Sequence, residues 1–168
     1  MSREPRVKIG IAIREVARAE EELADTLLEV GERHRTDQDV YHLTRRLSRW
    51  EQGHIAALEP FAERYGGGVD AGELGRDSAG PLATVREKAA ELVGRRPAAG
   101  VLLLRDMRRV HLVAAETSLN WTVLGQGAQA AKDADLLECV TLCHPETLRV
   151  MRWTLTKLKV AAPQVLTS

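Results

Sequence analysis

The stretch SRWEQGHIAALEPF, residues 48–61, sets Glu51 and His54 three residues apart on what reads as a helix. Side chains three or four apart share a helix face, so a carboxylate and an imidazole point the same way here. Around them Leu43, Leu47, Trp50, Leu58 and Phe61 recur at helical intervals, and Glu51 and His54 continue that apolar seam. A Glu-x-x-His pair by itself is common on helices and is mostly solvated. Its meaning depends on what the rest of the chain brings to the same interior, because an unpaired buried carboxylate needs a metal, a proton or strong hydrogen-bond donors.

Working outward, the helix that carries the pair spans about residues 40–65, and Gly66-Gly67-Gly68 stops it. Ahead of it a first helix is predicted from about Val7 to Arg35, with Ile9, Ile13, Val16, Leu23, Leu27 and Val30 on one stripe and a single gap at Glu20. Thr36-Asp37-Gln38-Asp39 joins the two as a polar turn with N-cap chemistry, giving an antiparallel hairpin over about residues 7–65. A crossover of about residues 66–98 follows, in which Pro81 opens a short helix, Leu82 to Val93, that Gly94 and Pro97 close. Two further long helices, about 99–131 and 134–160, make a second hairpin, with Leu112, Leu119 and Val123 as the expected seam of the third helix. Period-two alternation is absent and helix formers dominate, so the expectation is an all-α four-helix bundle, one domain over residues 1–168.

The two hairpins resemble each other. Sliding the chain by 96 residues aligns Ala19 with Ala115, Glu20 with Glu116, Leu23 with Leu119, Thr26 with Thr122, Leu28 with Leu124, Gly31 with Gly127, Asp37 with Asp133 and Asp39 with Asp135. These are eight identities in 21 positions, where roughly one or two arise by chance from residue frequencies. The pattern reads as an internal duplication. It also singles out Glu20 and Glu116, each on the expected apolar seam of its helix, as companions for Glu51 and His54.

A Glu on each of two helices with Glu-x-x-His on the others is the ligand pattern of the di-iron and di-manganese carboxylate bundles. The chain resembles that ferritin-like superfamily through Glu20, Glu51-Gln52-Gly53-His54 and Glu116, in matching order. The resemblance implies that Glu20 and His54 hold one metal, that Glu51 bridges, and that Glu116 serves a second. The fourth helix departs from the pattern: Thr147 and Val150 stand where the second Glu and His belong, with Glu146 or, by a gapped alignment, His144 as the substitutes within reach. The expectation is therefore one ion of iron, manganese or zinc on Glu20, Glu51, His54 and Glu116, with a metal-dependent oxidoreductase as the enzyme class if there is one. The alternative is a metal-free bundle that binds a partner or ligand.

Composition narrows the other classes. Lys and Arg number 24, as do Asp and Glu, so no basic field attracts nucleic acid or an anionic membrane. The longest apolar stretch, about Ala98 to Leu104, is too short to span a bilayer, and two cysteines four apart suit a reducing cytoplasm. Zero net charge and outward apolar residues permit a homodimer. Cys139 and Cys143 read as small core residues, and Trp50, Trp121 and Trp153 as packing. His34 and His42 beside the first turn are expected to be exposed, and His111 to lie at the surface.

Overall fold

In the computed structural model, residues 3–66 and 98–167 are described. They form four helices: α1 (Arg3–Arg33), α2 (Gln38–Tyr65), α3 (Ala99–Ala131) and α4 (Ala134–Thr167), with no strand among the described residues. The expected crossover helix, Leu82 to Val93, lies outside them.

The polar turns do what their chemistry predicts. Asp37 caps α2 by accepting from the Val40 amide at 3.2 Å, and Asp133 caps α4 by accepting from Leu136 at 3.1 Å. Lys132, at φ 56°, takes the left-handed conformation that ends α3. The α1–α2 seam is tight at Gly31, where a Cβ would lie 2.2 Å from the Thr44 hydroxyl, so a glycine is required by close approach.

Each hairpin is antiparallel, and the hairpins pack α1 against α3 and, less closely, α2 against α4. Arg33 of α1 meets Asp106 of α3 at one end, and Glu20 meets Trp121 midway, so α1 and α3 run in opposite directions. Tyr65 meets Asp133 and Asp37 meets Lys157, so α2 and α4 do too. It follows that α2 ends and α3 begins at opposite ends of the bundle.

The apolar interior falls into two clusters. One holds Ile9, Ile13, Val16, Leu58, Leu124 and Leu136, the other Leu23, Leu27, Val30, Leu47, Met107, Val110 and Val150. Between them lies a layer of buried polar side chains: Glu20, Glu51, His54, Thr117 and Thr147.

Two expectations are corrected. The seam of α3 is Met107, Val110, Ala114, Thr117, Trp121, Leu124 and Ala128, all buried, while Leu112, Leu119 and Val123 face out. The helix is turned by one residue, about 100°, from the face that the slide of 96 implied. The cause is the length of the turns: ten residues separate inward Leu27 from the cap Asp37, but nine separate inward Leu124 from Asp133. Beyond the caps no such slip occurs, and Val40 and Leu136, Thr44 and Val140, Leu47 and Cys143, Glu51 and Thr147, and His54 and Val150 are buried in matching order. The second correction is His34, which is buried because its Nε2 sits 2.7 Å from buried Asp106, itself bridged to Arg33.

Candidate metal centre

The polar layer draws on all four helices. Glu20 hangs from α1, Glu51 and His54 from successive turns of α2, and Thr147 enters from α4, while Trp121 of α3 closes one side. One ligand atom from each of Glu20, Glu51 and His54 lies within 4.8 Å of the others, and all three side chains are buried.

Hydrogen bonding within the layer is incomplete. Glu20 Oε1 accepts from the Trp121 indole N–H and from the Thr147 hydroxyl at 3.2 Å. His54 Nδ1 sits 3.3 Å from Glu20 Oε1 and 3.2 Å from Glu51 Oε2, at ion-pair distance but without an aligned hydrogen bond to either. Glu20 Oε2, both oxygens of Glu51 and His54 Nδ1 are left without a hydrogen bond, as is the buried Ser48 hydroxyl one turn before Glu51. Native interiors carry few such atoms, so each calls for an explanation in a proton, a water or an ion.

The fourth nitrogen contact is at the rim. His54 Nε2 lies 3.0 Å from Glu146 Oε2, and the Glu146 side chain is 31% exposed, with Arg149 beside it at 3.7 Å. The Trp121 ring meets the His54 ring edge-on at 6.0 Å between centroids, which holds the imidazole plane from the side.

The electrostatics follow from burial and crowding. Burial pushes the Glu51 carboxyl up, and the adjacent Glu20 adds to this against the opposing pull of His54, so it reaches about 8. Burial alone would lower His54, but the carboxylates of Glu20 and Glu51 outweigh it and raise the imidazole to about 10. Glu20 is also pushed up by burial, yet His54, Glu51 and the Trp121 N–H more than compensate, and it ends below the ordinary carboxylate range. At neutral pH the layer is thus an ionised Glu20, a protonated His54 and a protonated Glu51, with no net charge.

Three of the four expected ligands are brought together, and one is not. Glu116 is exposed on the outer side of α3, where it acts on Arg18 of α1, because the one-residue turn of α3 puts Thr117 inside instead. Thr117 spends its hydroxyl on the Val113 carbonyl at 2.9 Å and the Ala19 carbonyl at 3.3 Å. On α4, Thr147 and Val150 are both buried, the former bonding Glu20 and the latter packing in the apolar cluster with Leu23 and Leu47. Of the two substitutes, Glu146 meets His54 only at Nε2, the nitrogen opposite the one near Glu20 and Glu51, and His144 turns away to the Ser118 hydroxyl at 2.8 Å. The contribution of Trp121 and Thr147 was missed in the sequence; Trp121, 101 residues from Glu20, had no local signal. Cys139 and Cys143 are free and buried in the core, as their spacing suggested.

No helix among the described residues is long and apolar enough to cross a membrane. Compared with protein-family models, with curated proteins and with solved structures, the chain gives no match, so the centre is interpretable only through its own donor atoms.

Proposed function

We propose that the protein is a ferritin-like bundle that holds a single metal ion in its core, with Glu20, Glu51 and His54 as the ligands. The observation that carries this reading is the set of buried ligand atoms without a hydrogen bond, Glu20 Oε2, Glu51 Oε1 and Oε2 and His54 Nδ1, with ligand atoms of all three residues within 4.8 Å of one another. Two carboxylates and one imidazole suit iron, manganese or zinc. The running of α2 and α3 from opposite ends of the bundle supports the ferritin-like connectivity, in which one long crossover joins the hairpins.

The chain's own groups are placed for this role. His54 offers Nδ1 to the layer and carries its other nitrogen against Glu146, a carboxylate contact of the kind that fixes the tautomer of metal-binding histidines. Trp121 and Thr147 both donate to one oxygen of Glu20, which holds its other oxygen free for a ligand role. Val150 fills the position that a second histidine would need, so the pocket is built for one ion and not two. When bound, such an ion supplies Lewis acidity and, if it is iron or manganese, one-electron chemistry.

The test is elemental analysis of protein purified without chelator or affinity metal, followed by titration of the metal-free form with Mn(II), Zn(II) or, without air, Fe(II). Near one ion per chain is expected, with a change in Trp emission through the Trp121–Glu20 contact, and loss of both in Glu51→Gln. Absence of metal in every preparation and titration overturns the reading. The polar layer would then be a proton-neutralised core of a metal-free bundle.

A further inference from the structure

The outer face of α3 is apolar where a solitary bundle would be polar. Val101, Leu112, Leu119 and Val123 are 46%, 51%, 67% and 61% exposed, and they follow one stripe along the helix. On α4, Leu148 and Leu155, 38% and 43% exposed, lie on the side that also carries His144 and Met151 toward α3, so the apolar surface is continuous across the hairpin. The contrast with the other hairpin is large: residues 3–66 hold 24 charged side chains, whereas residues 98–167 hold 14. Contiguous exposed apolar surface of this kind marks an interaction site.

The stripe is also self-complementary. Counting from Leu112, Arg108 and Glu116 lie four residues to either side, Arg105 and Leu119 seven, and Val101 and Val123 eleven. All are exposed. When two such faces meet antiparallel about a two-fold axis through Leu112, every residue meets its opposite number: leucine on leucine at the axis, Arg108 on Glu116 twice, Val101 on Val123 twice, and the aliphatic stem of Arg105 over Leu119 twice. Neither Arg108 nor Glu116 has an ion-pair partner within the chain among the described residues, although Glu116 acts electrostatically on Arg18. From Val101 to Val123 the stripe is about 33 Å long at 1.5 Å per residue, and two adjacent helices about 10 Å wide give roughly 600 Å² per copy. Doubled, this passes the roughly 1,000 Å² that a specific interface needs.

We propose that this face is covered by a second copy of the same chain, in an antiparallel two-fold dimer centred on Leu112, with Arg108 of each copy paired to Glu116 of the other. The inference does not depend on the metal reading, and it gives Glu116 a role that its outward position denies it at the polar layer. Sedimentation equilibrium of the full chain tests it. The expected mass is twice 18.6 kDa at concentrations of roughly 10–100 μM. Leu112→Lys places two like charges on the axis and should give monomer. Arg108→Glu and Glu116→Arg alone should each weaken the dimer by about tenfold or more, while the double swap restores it, since it only exchanges the partners' signs. The three positions are exposed, and circular-dichroism melts of each variant separate loss of the dimer from loss of the fold. A monomeric wild type, a dimer indifferent to Leu112→Lys, or a double swap no better than its single variants overturns the proposal.

Discussion

At the scale of single residues, the polar layer is decided by who carries the protons. His54 is raised from 6.5 to about 10, so its contribution to stability is complete below pH 6.5 and is lost as pH rises through 10. Glu51, raised from 4.5 to about 8, keeps a proton that the unfolded chain has already shed, so its contribution also declines between those values. Glu20 is lowered and works in the opposite sense: its contribution is present above the ordinary value of 4.5 and is lost as pH falls below it. Metal-free protein should therefore melt at progressively lower temperature from about pH 4.5 to 10, by several kcal/mol in all, and Glu51→Gln should flatten the part of that decline between pH 4.5 and 8. Thermal melts across this range check it; a flat profile would contradict the charge assignment. The same protons govern loading under the metal reading. An ion displaces one from Glu51 and one from His54, so the apparent affinity for Mn(II) should rise by up to about 100-fold per pH unit near neutrality. Calorimetry in buffers of different ionisation enthalpy counts the protons released.

At the scale of elements, the helices and their ends were readable because their causes are local. The caps Asp37 and Asp133 stand where polar turns interrupt the apolar stripes, and the structure uses both as caps. Asp133 does more than cap: it also accepts from the Tyr65 hydroxyl and the Arg64 guanidinium, tying the end of α2 to the start of α4. Asp133→Ala should cost about 2 kcal/mol in urea unfolding, against about 1 for a cap alone. Gly31→Ala should cost about 1–3 kcal/mol because its Cβ meets the β-branched, buried Thr44, and Thr44→Ala in the same chain should recover most of it. If the double variant is no more stable than Gly31→Ala, the close approach is not what selects glycine. The face of α3 was the element-level failure. That helix carries Leu102, Leu103, Leu104, Leu112, Val113, Leu119 and Val123 around most of its circumference, so its period does not single out one side. With no clear stripe, Leu112, Leu119 and Val123 suggest a seam with which the slide of 96 residues agrees, but one residue of difference in the turn makes that face the outer one.

At the scale of the whole molecule, under the proposed metal reading the centre is half of a symmetric arrangement, and buried Thr147 and Val150 stand where its other half would be. Restoring that half by Thr147→Glu with Val150→His should destabilise the metal-free bundle by several kcal/mol, since it buries further ionisable groups without partners, and should raise metal stoichiometry above that of the wild type. Equal stoichiometry in both proteins would mean that α4 does not face a ligand position. Spacing alone determined the all-helical architecture, the antiparallel hairpins and the inward placement of Glu20, Glu51 and His54, because helical period, capping chemistry and short turns act between near neighbours. The sequence could not decide which way α3 is turned, whether Glu116 or Thr117 faces the interior, or that Trp121 and Glu146 hold Glu20 and His54 from 101 and 92 residues away. Those contacts exist only once the two hairpins are docked, and docking is chosen by how the apolar faces of all four helices fill a common core, a balance no single helix encodes.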